Sequence, residues 1–194
     1  NLIDKKNTKL IIDGCSAPGG KGSHIAKEFP DSIIYSIDSN ANRIKSIHET
    51  INRLNITNIT TMELDMTKDA LPMANTILLD VPCSGTGSIQ RRPDAKWNKS
   101  LSLIKQLSII QLRILDNAKK YLKKGGNIIY STCSIEKEEN FDVIDKFLNN
   151  NSNYILDNAA NHVDIRIVNN NCIDVNPGFY NLDGAFAAKL TKIE

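Results

Sequence analysis

The 194-residue chain predicts an α/β fold: a doubly wound, mostly parallel sheet of about seven strands in one domain spanning residues 1–194. Three observations carry that prediction. Short apolar runs rich in β-branched residues alternate with helix-period segments. A glycine-rich turn, Asp13-Gly14-Cys15-Ser16-Ala17-Pro18-Gly19-Gly20-Lys21, links the first run to the first helix. Asp38, Asp65 and Asp80 stand at the C-terminal ends of predicted strands, the edge at which open α/β sheets bind ligands.

Taken in order, Lys9–Asp13 carries the apolar run Leu10-Ile11-Ile12, and Ser23–Phe29 forms the first helix. Ser32–Asp38 is the second strand. Ala41–Leu54 places Ile44, Ile47 and Ile51 at spacings of three and four, one apolar helix face that ends near Asn55. Ile59–Leu64 and Thr76–Asp80 are strands. Leu101–Leu122 is the longest helix, with Ile104, Leu107, Ile110, Ile114, Leu115, Ala118 and Leu122 on its buried stripe and Lys123-Lys124-Gly125-Gly126 closing it. Asn127–Ser131 is a strand and Lys137–Leu148 a final helix. Beyond the polar turn Asn149–Asn153, Ile165–Val168 and Phe186–Leu190 read as strands flanking a hairpin tip at Asn169-Asn170-Asn171, the last strand antiparallel to the rest.

Composition narrows the classes. A 41% hydrophobic content supports one sizeable core. A net charge of +2 neither demands nor excludes a nucleic acid, which must then be met by a local patch. Cys15, Cys83, Cys133 and Cys172 form no CxxC pair, and His24, His48 and His162 are scattered, so no metal site is expected. With no secretory or membrane-spanning pattern, the thiols read as free, the location as cytoplasmic and no membrane partner is expected. The chain opens on Asn1 and enters its first strand within about ten residues, which suggests a fragment of a longer protein.

The glycine-rich turn brings bare backbone to a strand end, where a nucleotide cofactor can approach Cys15, Ser16, Ala17, Pro18, Gly19, Gly20 and Lys21. The same turn can also serve as an empty strand-to-helix connection. Asp38 follows Asp13 by 25 positions, close to the spacing at which a carboxylate ending the second strand accepts from ribose hydroxyls; its other reading is a cap for the helix starting near Ala41. Asp65 can accept from an adenine amino group or simply close the turn before Thr67-Lys68-Asp69. Two further segments, Asp80-Val81-Pro82-Cys83-Ser84-Gly85 and Ser131-Thr132-Cys133-Ser134, each follow a buried strand and bring two thiols to one rim. Arg91, Arg92, Lys96 and Trp97 form the best patch for RNA, with Trp97 half-buried against the long helix as the alternative.

The blocks DGCSAPGGK, LDMTKD, DVPCSGTG, STCSIEKEEN and PGFYNLDGAFAAKL resemble the Rossmann-like catalytic domain of the RNA cytosine-C5 methyltransferases of the NOL1/NOP2/Sun family, over nearly the whole chain. IQRRPDAKW resembles the bacterial RsmB type, which modifies small-subunit ribosomal RNA. The resemblance implies a class I fold binding S-adenosylmethionine, RNA as partner and a monomer. It implies Cys133 as nucleophile, Cys83 as the residue that releases the adduct, and Asp80 and Lys21 in the target pocket, Asp80 also bordering the cofactor. Thiolate addition to C6 is what makes C5 of cytosine nucleophilic, so a thiol near its ordinary pKa of about 8.5 needs a polarising site. Ser16, Gly22 and Ala185 depart from the family's usual alanine, threonine and aromatic residue. A cofactor- or RNA-binding scaffold without turnover, and the same chemistry on transfer RNA, remain alternatives. An amino-group methyltransferase is not supported, because the chain carries Asp80-Val81-Pro82-Cys83 where that chemistry uses an Asn/Asp-Pro-Pro-aromatic block.

Overall fold

Successive residues of a strand face opposite sides of a sheet, and in this computed structural model, which describes residues 2–4, 8–180 and 182–194, the rule builds two cores. Ile11 and Ile12 adjoin in β1 (Leu10–Gly14) and are both fully buried. Ile11 packs with Ile34, Leu78 and Ile129 against Ile25 and Ala26 of α1 (Gly20–Glu28). Ile12 packs on the other face with Ile77, Leu79, Ile128 and Tyr130, beneath Ile114 and Leu115 of α3 (Leu101–Ala118) and Val143 and Phe147 of α4 (Phe141–Asn149). A sheet covered on both faces is what apolar, non-alternating strand runs require.

The remaining strands are β2 (Ile33–Asp38), β3 (Ile59–Glu63), β4 (Ala74–Asp80), β5 (Leu122–Thr132), β6 (Tyr154–Leu156), β7 (Val168–Asn169), β8 (Cys172–Val175) and β9 (Ala185–Lys192), with helices α2 (Ala41–Leu54) and α5 (Pro177–Tyr180). The sheet of nine strands among the described residues runs β3-β2-β1-β4-β5-β9-β8-β7, with β6 on β9. β1 to β5 are parallel, and β9 turns the sheet antiparallel against β5, so the doubly wound sheet is present with two strands more than expected.

Five expectations need correction. The longest helix stops at Ala118, and Lys123-Lys124-Gly125-Gly126 lies inside β5 rather than closing a helix. Leu122 pairs with Ala74, and the register then jumps to Thr76 with Asn127, a bulge that Gly125 permits at φ 72. On α3, Leu107 and Ile110 are only half-buried while Gln111 and Asn117 are buried, because Asn117 Nδ2 donates to the carbonyls of Met66 and Asp69. The final helix starts at Phe141, after a separate 3-10 turn at Lys137–Glu139. Ile165–Ile167 is also a 3-10 turn, and the hairpin tip at Asn170-Asn171 joins β7 to β8, a strand without a sequence prediction. The first helix begins at Gly20, three residues before its predicted start, and Asn1 and Asn181 lie outside the described residues.

Asp13, near the end of β1, is fully buried, with Oδ1 unpartnered and Oδ2 accepting from Ser16 Oγ at 2.6 Å. Burial pushes its carboxyl from the ordinary 3.8 up to about 6, assisted by Asp80 and opposed by Ser16 and Lys21. A carboxyl raised by folding binds its proton more tightly in the folded state, so its contribution to stability falls as pH rises from about 4 to about 6 and is level above. Relative to the wild type, Asp13→Asn should therefore gain stability across that window, by on the order of 3 kcal/mol in urea denaturation. A difference that stays constant with pH would contradict the assignment.

Candidate active site

Strand order reverses between β1 and β4, and such a reversal opens a crevice at the strands' C-terminal ends. A cavity of about 510 Å³ lies there, bordered by Cys15, Asp38, Asp65, Asp80, Cys83 and Cys133. A second hollow of about 250 Å³ adjoins it, lined by Asp13, Ser16, Pro18, Gly20, Lys21 and Asp80.

The glycine-rich turn divides its residues between these spaces. Cys15, at φ 62, and Ala17 border both. Ser16 turns its polar groups inward: its N–H donates to the Ile37 carbonyl at 2.8 Å and its hydroxyl to Asp13. Gly19, at φ 97, is the N-terminal cap of α1, and a Cβ there would sit 3.4 Å from Ile47 of α2. Two of the three departures that the resemblance implies, Ser16 and Gly22, are linked. A Cβ on Gly22 would stand 2.7 Å from Asp13 Oδ2 and 2.9 Å from Ser36 Oγ, so the polar cluster that includes Ser16 leaves no room for threonine unless it shifts.

Asp38 is buried at the end of β2, with Oδ1 accepting from Asn40 N–H at 3.1 Å and Oδ2 without a hydrogen bond, 3.6 Å from Arg43 Nη1. The capping role belongs to Asn40, whose side chain accepts from Asn42 and Arg43 N–H. A buried acceptor without a donor, at the wall of a cavity, suits a ligand hydroxyl. Asp65 also borders the cavity but closes its own turn, accepting from Thr67 N–H and Oγ1 at 2.9 and 2.7 Å, and those bonds hold its carboxyl below the usual range. Asp80 Oδ2 meets Lys21 Nζ at 2.5 Å and its Oδ1 accepts from Ser131 Oγ at 3.0 Å.

Cys83 and Cys133 converge, Sγ to Sγ 3.2 Å. The hydrogen bond between the two thiols lowers the Cys133 thiol to about 7 against the opposing effects of burial and Asp80, with Lys21 assisting. Cys83 is pushed up, by that same hydrogen bond first and burial second. Cys15 and Cys172 are both raised to about 12, chiefly by burial, and Cys172 lies in the core.

The basic patch is split. Arg91 pairs with Asp183 at 2.8 Å, Lys96 Nζ lies 4.6 Å over the Trp97 ring, and Trp97 is 78% exposed rather than packed on α3. Arg92 borders the main cavity together with Lys99. Lys99, Arg43 and Glu139 escaped sequence reasoning, because single polar residues outside a periodic or glycine-rich pattern carry no spacing signal. Among the described residues no cluster of His, Cys, Asp and Glu suits a metal ion, and no helix is long and apolar enough to cross a membrane.

The family described as 16S rRNA methyltransferase RsmB/F matches residues 1–191. Ribosomal RNA small subunit methyltransferase B of Shewanella oneidensis is 33% identical over 195 residues, covering 98% of this chain and 45% of its own length. The protein of the same name from Proteus mirabilis is 41% identical over 151 residues, covering 76% of this chain and 36% of its own. Among solved structures, NSun6 from Pyrococcus horikoshii with SFG superposes with a TM-score of 0.87 at 30% identity, covering all of this chain and 50% of that one. The chain thus spans just under half the length of the Shewanella relative.

The thiol pair generates a direct expectation. Alkylation by iodoacetamide should label Cys133 first, with a rate that rises with pH around a midpoint near 7, while Cys83 stays unlabelled at neutral pH. Cys83→Ala removes the S–H donor and should move that midpoint upward. A midpoint unchanged in Cys83→Ala would show that the thiols do not share a proton.

Proposed function

The chain belongs to the 16S rRNA methyltransferase RsmB/F family, and on that premise we propose that it serves S-adenosylmethionine-dependent methylation of C5 of a cytosine in small-subunit ribosomal RNA, through a covalent adduct with Cys133. The observation that carries the reading is the 3.2 Å thiol pair on a cavity whose lining also includes Asp38, a buried carboxylate with one oxygen that accepts no hydrogen bond. A shared carboxylate acceptor for ribose hydroxyls and a thiolate within one crevice suit a cofactor and a pyrimidine bound side by side. The names of the relatives support the RNA class.

Asp38, Cys15, Ala17 and Asp65 would hold the cofactor, Asp38 by accepting from ribose hydroxyls through Oδ2. When bound, S-adenosylmethionine supplies an electrophilic methyl group. Asp80 and Lys21 would orient the cytosine, the carboxylate toward its polar edge and the ammonium toward its carbonyl oxygen. Cys133, with the lowered pKa, adds as thiolate to C6; the S–C6 bond forms and the C5–C6 π pair becomes available at C5. After C5 is methylated its proton must leave, so that the electron pair restores the double bond and expels the Cys133 thiolate.

Cys83 fits that last step. Its pKa is raised mainly because its proton is held by the Cys133 sulfur. Once Cys133 is a thioether it carries no negative charge to hold that proton, so Cys83 can release it to the solvent in the open cavity, and the Cys83 thiolate then takes the proton from C5. Arg92 and Lys99, which line the cavity, suit the phosphates flanking the target, with the exposed Trp97 as a stacking surface.

With ribosomal RNA and cofactor, Cys133→Ser should abolish both methylation and covalent capture, since a hydroxyl is far less nucleophilic at neutral pH. Cys83→Ala should capture RNA in a band that survives denaturation. If Cys133→Ser gave the band and Cys83→Ala did not, the two roles would be exchanged.

A further inference from the structure

Glu139 is a fully buried carboxylate in the 3-10 turn between β5 and α4, outside the cavity lining and without a part in the steps above. Burying such a group is costly unless donors surround it. Here four do. Its Oε1 accepts from Ser84 N–H at 2.8 Å and from Gln111 Nε2 at 3.0 Å, and its Oε2 accepts from the hydroxyls of Ser84 and, at 2.6 Å, Ser134. Gln111 Nε2 also donates to the Pro82 carbonyl at 2.9 Å, and Tyr130 OH donates to the backbone carbonyl of Glu139 at 2.5 Å.

The donors have a telling position in the chain. Ser84 follows Cys83 and Ser134 follows Cys133, so one carboxylate holds the residue next to each thiol. The β4–β5 ladder ends at Asp80 with Ser131, continued by Val81 N–H to the Ser131 carbonyl at 3.1 Å. Beyond it the two loops leave the sheet. The Gly87 N–H to Cys133 carbonyl bond at 3.0 Å and the Ser84–Thr86–Ser134 hydroxyl contacts also join them, but among the described residues Glu139 alone binds both serines through a carboxyl group.

We infer that Glu139 is a positioning residue for the thiol pair: by binding Ser84 and Ser134 to one carboxylate, it holds Cys83 against Cys133 in the geometry that adduct formation and release require. The consequence for turnover rests on the proposed reaction. The consequence for the thiols does not, and it can be read without RNA or cofactor.

Two variants test it. Glu139→Gln keeps the shape but replaces Oε2 by a group that can no longer accept from the serine hydroxyls; Ser134→Ala leaves Glu139 in place and removes one arm, which guards against a Glu139 variant that does not fold. In each folded protein the rate at which diamide, an oxidant that takes up two hydrogens, closes the Cys83–Cys133 disulfide is followed by mass spectrometry. Both variants should close it about tenfold or more slowly than the wild type, as expected when reacting atoms drift by a fraction of an ångström to an ångström. The double variant should be no slower than the slower single one, because both act through one contact. With RNA, kcat should fall while KM for S-adenosylmethionine stays unchanged, and denaturation-resistant adduct should accumulate. A folded variant of either kind that closes the disulfide at the wild-type rate overturns the inference, even if its melting temperature falls. Slowed disulfide closure in the variants, together with no methylation by the wild type, would keep the positioning role and reject the proposed reaction.

Discussion

The parallel pairing of β4 with β5 is the constraint on which the site depends. Asp80 lies opposite Ser131 in that register, and the two Cys-bearing loops leave the sheet side by side two or three residues later. Slipping the pairing by one residue would turn every side chain of one strand to the other face, separating Asp80 from Ser131 and Cys83 from Cys133 together. The register is in turn fixed by burial: Ile77, Leu79, Ile128 and Tyr130 face the α3–α4 layer while Leu78 and Ile129 face α1, and no shifted pairing preserves both cores.

Four cysteines of identical intrinsic chemistry end up in different roles through their surroundings. Cys15 lies half-buried on the cavity wall, where burial and the nearby Asp38, Asp13 and Asp80 all oppose a thiolate. Cys172 is sealed in the core. Of the four, Cys133 is the one that combines an exposed position with a second thiol at hydrogen-bond distance, so hydrogen bonding and exposure, rather than proximity to the glycine-rich turn, single out the thiol with the lowered pKa. Carboxylates crowd this edge of the sheet, and each has its own compensation: Asp80 has Lys21 and Ser131, Asp65 has Thr67, and Asp13 has Ser16 together with a raised affinity for a proton.

Much of this was legible in the sequence for a physical reason. Four of the five parallel strands carry buried apolar runs bounded by turns, β3 being a half-exposed edge strand, and the helices α2 and α3 show a plain three-to-four spacing. The strand ends that carry Asp38, Asp80, Cys83 and Cys133 follow from those runs. What escaped depends on long-range pairing. β5 extends back over a lysine-glycine segment because Leu122 finds Ala74 across a bulge, and β6, β7 and β8 are too short to show alternation. Gln111 and Asn117 interrupt an apolar stripe that Leu107 and Ile110 seemed to complete, since their amides are needed by carbonyls of distant loops. Glu139 sits in a charged run, Glu136-Lys137-Glu138-Glu139, that reads as solvated surface, and only the folded chain singles out the one carboxylate that turns inward.

The proposed role of Cys133 as the sulfur nucleophile of a covalent RNA adduct can be measured directly. Small-subunit ribosomal RNA carrying 5-fluorocytidine cannot lose a proton from C5, so an adduct formed on it in the presence of S-adenosylmethionine is not released. Nuclease and protease digestion followed by mass spectrometry of the linked peptide would read the attachment site. The account predicts a methylated fluoropyrimidine nucleotide on the peptide containing Cys133; attachment to the Cys83 peptide, or no attachment while ordinary RNA is methylated, would contradict it.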